Sequence, residues 1–144
     1  MIAGIGVDIV QIARLESALG RTPELAARLF TPAERSWAAR RRAPAVSLAG
    51  CFAVKEALAK VLGAPVGLAW TDAEVFRDAA GRPFLTVRGT VAAVARTQGI
   101  GSWHVSLSHD GGMCIAMVIA ELARAHDEHG QPSGPDEVLE RGTP

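Results

Sequence analysis

The chain contains no tyrosine, and four phenylalanines and three tryptophans are its only large rings in 144 residues. An interior built without many rings must be filled by aliphatic and small side chains. Hydrophobic residues make up 49% of the chain, alanine prominent among them, which favours a compact helix-rich core and excludes wholesale disorder. The length suits one domain. Only two cysteines occur, Cys51 and Cys114, in neither a CxxC nor a zinc-type spacing; a disulfide scaffold and a structural zinc site are excluded, and two buried, reduced thiols are expected. Excess charge of one sign is missing too. Lysine plus arginine number 15 against 15 aspartates and glutamates, so no global field argues for nucleic acid or an anionic membrane as partner. The longest apolar run, Met113 to Ala120, falls far short of the ~20 residues that cross a bilayer, and the first residues carry no basic segment or cleavage site. A soluble, cytoplasmic protein is expected. Walker-type loops, GxGxxG and GxSxG are all missing, which argues against a nucleotide motor, a kinase and acyl-enzyme chemistry.

What is present is well patterned. Residues 2–9 read as a strand in which Gly4, Gly6 and Asp8 share one face and Ile5, Val7 and Ile9 the other; the apolar face is expected in the core, and the glycine face is open to a close backbone or ligand. Ile12, Leu15 and Leu19 recur at helical spacing, with Gly20 a stop, and a short segment follows from Pro23 to Leu29. Thr31-Pro32 caps a helix running toward Arg42, which Pro44 should end. The longest helix is expected from Ser47, as N-cap, to Leu62, with Leu48, Phe52, Leu58, Val61 and Leu62 facing the core and Gly63 beyond its end. Two strands, Ala73–Arg77 and Phe84–Arg88, flank a turn at 78–83; a helix follows over Thr90–Gln98, then strands Trp103–Ser108 and Met113–Glu121 around His109-Asp-Gly-Gly112. From residue 123 onward core-forming residues nearly vanish, so 1–122 reads as the domain and 123–144 as a disordered tail whose His126 and His129 lack a third fixed ligand.

Charges inside these apolar elements need a reason, because a buried charge costs several kcal/mol unless it is paired or bound to a metal. Asp8 interrupts an apolar strand, and Glu56 and Lys60 lie one turn apart on the long helix. Taken alone, the last two make an ordinary surface ion pair. Taken with Asp8, and with His109 at the edge of a strand, they suggest oxygen ligands for a hard cation. Mg²⁺ fits better than zinc, and because Mg²⁺ usually takes one or two carboxylates and completes its shell with water and phosphate, a phosphate ester or pyrophosphate substrate follows.

Three blocks then carry a resemblance: Gly4-Ile-Gly-Val-Asp-Ile9, Phe52-Ala-Val-Lys-Glu-Ala-Leu-Ala-Lys-Val-Leu-Gly63 and Trp103-His-Val-Ser-Leu-Ser-His109. In order and spacing the chain resembles holo-acyl-carrier-protein synthases, of the 4′-phosphopantetheinyl transferase superfamily, from residue 1 to about 121. The resemblance implies an α+β fold, a small antiparallel sheet packed against a long helix in a single domain, and a homotrimer with coenzyme A in clefts between subunits. It implies Mg²⁺-dependent transfer of 4′-phosphopantetheine from coenzyme A to a serine of an apo-acyl carrier protein, in fatty-acid or polyketide synthesis. Asp8 and Glu56 would hold the metal, and Lys60 and His109 would meet the phosphates, with Ser108 a further hydrogen bonder. Gly81, Arg82 and Pro83 would form the turn near the adenine. Arg14, Arg21 and Arg28 would dock the carrier. Glu56, or a water it orients on the metal, would accept the serine proton.

One position departs from the pattern. The residue before Phe52 is usually an arginine that contacts phosphates of the adenosine end, and here it is Cys51, so either that grip is weaker or an arginine among 40–42 replaces it. Two rival readings are a Mg²⁺-dependent hydrolase of coenzyme A or a nucleotide pyrophosphate, and a scaffold in which Asp8 and Glu56 are structural. The arginines after the first block argue against the hydrolase, since a water nucleophile needs no docking face.

Overall fold

A computed structural model describes residues 1–124; the expected tail lies outside the described residues from 125 onward. In chain order the elements are β1 (Ile2–Gln11), α1 (Ile12–Arg21), α2 (Glu24–Leu29), α3 (Pro32–Ala39), α4 (Pro44–Val61), a single 3-10 turn at Trp70–Asp72, β2 (Ala73–Arg77), β3 (Pro83–Val87), α5 (Gly89–Thr97), β4 (Ile100–Asp110) and β5 (Met113–Leu122). The fold is α+β. An antiparallel sheet in the order β1-β5-β4 lies under α4, and β2 and β3 form a separate hairpin. Among the described residues no helix is long and apolar enough to cross a membrane.

Local chemistry explains most of the boundaries. Thr31 caps α3 in a reciprocal box: its hydroxyl accepts from the Glu34 N–H while the Glu34 carboxylate accepts from the Thr31 N–H. Gly111 and Gly112, both at positive φ, make the two-residue turn that joins β4 to β5, so His109 and Asp110 belong to β4 and pair with Cys114 and Met113. Pro44 does not end the preceding helix. It is the first residue of α4, where a missing N–H is harmless, and α3 stops earlier, at Ala39. Ser47 therefore lies in the first turn of α4, its hydroxyl donating to the Ala43 carbonyl, rather than at the N-cap.

The expected core face of β1 is reversed in the structure, while the expected close backbone approach to its glycine face is found. Ile5 and Ile9 are each 57% exposed and Val7 40%, whereas Gly6 is buried and Asp8 half-buried beneath α4. The cause is the distance of approach: a Cβ at Gly6 would overlap the Ala57 carbonyl oxygen, and one at Gly4 would crowd Val61. Helix and strand meet backbone to backbone, with Ala49, Ala53 and Ala57 fully buried on α4. Leu58 and Leu62 are core residues as expected, while Leu48, Phe52 and Val61 pack at its margin. The branched side chains of β1 sit beside Ile115 and Met117 of β5, which are also exposed, so the outer face of the sheet is apolar.

Candidate active site

β1 and α4 build the first part of the site. Because the glycine face of β1 carries α4, Asp8 on that face is brought against the helix, and Asp8, Glu56, Arg14 and Phe52 line one cavity of about 630 Å³. Lys60 does not pair with Glu56. Its ammonium group spans to β1, donating to Asp8 Oδ1 at 2.7 Å and to the Val7 carbonyl at 2.9 Å. The Glu56 carboxyl is held above its usual range, first by burial and then by repulsion from Asp8, with Lys60 opposing both. Two mutually repelling carboxylates, one of them already satisfied by a cation, form an oxygen donor set that suits Mg²⁺ completed by water and phosphate. Among the described residues there is no group of three or more His, Cys, Asp or Glu side chains that could hold a metal alone, so any ion here would depend on non-protein ligands.

The second part lies on the opposite side of α4. Ser47 and Gly50 face it, while Phe52 and Glu56 face the carboxylate cavity, as the ~3.6-residue helical repeat requires. This groove, of about 370 Å³, is lined by His109 of β4, Gly81 of the β2–β3 turn, Arg77, Trp37 and Arg41. Arg77 Nη1 donates to the Gly81 carbonyl at 3.0 Å and fixes that turn. Arg82 is directed elsewhere, with its Nε and backbone N–H both donating to Asp78 at 2.8 Å, and Pro83 opens β3. Ser108 pairs with exposed Ile115 on the outer face of the sheet, away from the face that His109 shares with buried Cys114.

The expected constellation therefore falls into two groups. Asp8, Glu56 and Arg14 line one cavity, with Lys60 bonded to its aspartate; His109 and Gly81 line the other. The sheet order explains this, since β5 separates Asp8 on β1 from His109 on β4 and α4 runs over it. Arg14 and Arg21 are exposed on α1 seven residues apart, Arg21 bonded to Ser17 Oγ at 2.9 Å, and Arg28 is exposed on α2. Both cysteines are buried and free. The Cys51 thiol is pushed up to about 12, mainly by burial and by Glu34, against the opposing charges of Lys55 and Arg77. It is a neutral side chain at physiological pH.

Sequence reasoning missed two features. Lys55 is fully buried and donates to Glu34 Oε2 and the Leu29 carbonyl, each at 2.7 Å, and to the Trp70 carbonyl at 3.1 Å. Glu34 in turn accepts from Thr31 N and from Val75 N at 2.8 Å, so one closed polar network ties α2, α3, α4 and β2 together. The Thr31 to Glu34 spacing was the available signal for one half of it. The second feature is the pair of guanidinium groups on Trp37, Arg41 at 4.4 Å and Arg77 at 5.5 Å from the ring centroid. No local pattern announces Arg77, because only the β2–β3 fold brings it there.

The chain that folds into this α+β frame matches the family model described as the 4′-phosphopantetheinyl transferase superfamily over residues 4–118. The chain is 58% identical over 120 residues to the holo-[acyl-carrier-protein] synthase of Frankia alni, covering 83% of this chain and 98% of that one. Its fold matches the crystal structure of the holo-[acyl-carrier-protein] synthase of Neisseria meningitidis with a TM-score of 0.77 at 31% identity, covering 84% and 99% of the two chains. The Helicobacter pylori enzyme, crystallised in complex with coenzyme A, matches with a TM-score of 0.71 at 32% identity over 81% and 99%. The chain belongs to the holo-acyl-carrier-protein synthase family within that superfamily.

Proposed function

We propose that the chain transfers 4′-phosphopantetheine from coenzyme A to a serine of an apo-acyl carrier protein. The serine oxygen attacks the phosphorus on the pantetheine side of the pyrophosphate, the bond from that phosphorus to the bridging oxygen breaks, and adenosine 3′,5′-bisphosphate leaves. The observation that carries this reading is the convergence of Asp8 and Glu56, from two separate signature blocks, on one cavity beside Arg14. The family relationship and the coenzyme A complex of the Helicobacter pylori relative support it.

Asp8 and Glu56 would hold Mg²⁺. When bound, the ion supplies charge neutralisation at the pyrophosphate and holds its oxygens in place. The protein's own groups do the rest. Lys60, exposed enough to move from Asp8, and His109 stabilise negative charge on the phosphates, and Glu56 or a water it orients accepts the serine proton. Gly81 and its turn, Gly81-Arg82-Pro83, contact the adenosine end through the backbone, and Arg14, Arg21 and Arg28 offer cationic docking to the acidic surface of a carrier. Ser108 would contribute only from the outer face of the sheet.

The separation of the two groups in one chain gives assembly a role. The exposed apolar face of β1 and β5, with Ile5, Ile9, Ile115 and Met117, is the kind of surface a second copy covers. A homotrimer would bring the carboxylate cavity of one subunit to the cationic groove of its neighbour. In this reading residues 1–122 are the catalytic domain, the tail is dispensable, and the enzyme works in the cytoplasm.

The test is carrier modification by mass spectrometry with coenzyme A and Mg²⁺. Transfer by the wild type, lost in Asp8→Ala and Glu56→Gln with folding retained, is expected. Cleavage of coenzyme A without carrier modification would replace this reading with a hydrolase, and unchanged transfer in both variants would remove Asp8 and Glu56 from the site.

A further inference from the structure

The cavity that holds Asp8 and Glu56 has a second character, because much of its wall is apolar: Leu15 of α1, Leu25 and Leu29 of α2, Phe52 and Trp70. Leu25, Phe52 and Trp70 are each only half-buried. Arginines accompany that wall. Arg14 lines the cavity, and Arg21 and Arg28 are exposed on the same two helices, which carry only Glu16 and Glu24 against them. Among the described residues none of the three arginines is in an ion pair. The chain beyond residue 124 carries the complementary pattern in its sequence. Asp127, Glu128, Asp136, Glu137 and Glu140 stand there against Arg141, and the only branched apolar residues, Val138 and Leu139, are adjacent and flanked by three of those acids.

The length of chain is sufficient for the two patterns to meet. β5 ends beside the start of β1, where Glu121 pairs with Ile2, whereas α1 follows the far end of β1 at Gln11. At ~3.3 Å per residue that separation is about 30 Å, and the chain from Arg124 to Val138 can span roughly 45 Å. Gly130-Gln-Pro-Ser-Gly-Pro135 has the composition of a linker and precedes the acidic segment. A tether that spans two sites gives an effective concentration on the order of millimolar, so a contact too weak to matter between separate molecules can occupy its site within one. We infer that residues 136–140 dock on the α1–α2 face, Val138 and Leu139 against the apolar wall and the acids on Arg14, Arg21 and Arg28, and thereby compete with the acyl carrier. This inference rests on the carrier-docking reading above. It leaves the tail outside the chemistry and gives it control over how much of the docking face a carrier finds free.

Two full-length variants test it by transfer kinetics: one with Asp136→Asn, Glu137→Gln and Glu140→Gln, and one with Val138→Ser and Leu139→Ser, which leaves the net charge unchanged. If the tail covers the face about three quarters of the time, each variant should lower KM for the apo-carrier about fourfold, with kcat and KM for coenzyme A unchanged. The serine variant separates a docked segment from a general repulsion of an acidic carrier. A nitroxide on Ser133→Cys, attached while Cys51 and Cys114 are buried, should broaden the amide NMR signals of Arg14, Ala18, Arg21 and Leu25. That broadening should vanish in the charge-neutralised chain and fall when apo-carrier is added. An unchanged KM in both variants, a change confined to the charge variant, or broadening only around residues 40–42 or on the outer face of β1 and β5 would overturn the docking. If no carrier is modified yet the α1–α2 signals broaden as described, the transfer reading falls and the docking of the tail stands.

Discussion

Replacing Lys55 with methionine should be among the most damaging single changes in the chain, although no ligand contact is assigned to Lys55. Methionine reproduces much of the lysine stem and deletes its ammonium group. Three acceptors lose their donor: Glu34 Oε2, the Leu29 carbonyl and the Trp70 carbonyl, at 2.7, 2.7 and 3.1 Å. Glu34 keeps its bonds from Thr31 N and Val75 N but becomes a fully buried carboxylate without a counter-ion. Breaking a buried pair in this way costs about 3–5 kcal/mol, and the two orphaned carbonyls act on the same site, so their costs are not simply added. Against a typical total stability of roughly 5–15 kcal/mol this is a large fraction. Urea unfolding followed by circular dichroism at fixed protein concentration should show a much lower midpoint with an unchanged slope. Adding Glu34→Gln to Lys55→Met removes the stranded charge while keeping an acceptor oxygen for the Val75 N–H, and should recover about 2 kcal/mol. A loss below about 1 kcal/mol in the single variant, or further destabilisation in the double variant, would refute the view that the two charges depend on each other.

Gly6→Ala should cost about 2 kcal/mol or more, because the added Cβ meets the Ala57 carbonyl of α4; thermal unfolding measures it, and a neutral result would mean that helix and strand can separate freely. The Thr90 N–H and hydroxyl both donate to Asp72 Oδ2 and hold that carboxyl below its ordinary value, so its stabilising contribution is present at neutral pH and is lost as pH falls through the depressed folded value. Thr90→Val should move the Asp72 titration, followed by NMR, back toward the ordinary aspartate range. Neither Cys51 nor Cys114 should react with a disulfide reagent at pH 8 in the folded protein, and both should react in urea; rapid native labelling would contradict their burial. Ile9→Asp on the outer sheet face should shift the protein to smaller species in sedimentation and reduce transfer with it, whereas an unchanged mass would place any subunit contact elsewhere.

The sequence exposes this molecule unevenly, and the reasons are physical. Turns and caps carry local chemistry, so Thr31-Pro32, the Asp78 to Pro83 turn and Gly111-Gly112 mark element ends within a residue or two. Pro44 is ambiguous for the same reason that it is informative, because a proline suits the first turn of a helix as well as the gap after one. Alternation in β1 separates two faces correctly but does not say which is covered. Apolarity favours the branched face, and the steric demand of a close helix selects the glycine face instead. Asp8 and Glu56 are legible from the blocks and Arg14 follows the first of them, and the structure places all three on one cavity. The pairing of Lys60 with Asp8, the Lys55 network and the placement of Arg77 on Trp37 are long-range events that no local period encodes.

The glycine-to-alanine contact between β1 and α4 also limits how such a chain can vary. Shifting α4 by one residue moves it about 1.5 Å along its axis and turns it by about 100°. Ser47 and Gly50 would then leave the groove as Phe52 and Glu56 leave the carboxylate cavity, so both halves of the site would lose their alignment in one event. The interlock at Gly6 leaves no intermediate register in which one half is spared. Insertions and deletions should therefore accumulate in the loops around the 3-10 turn and the β2–β3 tip and be purged from within α4, whose register sets the alignment of the two cavities.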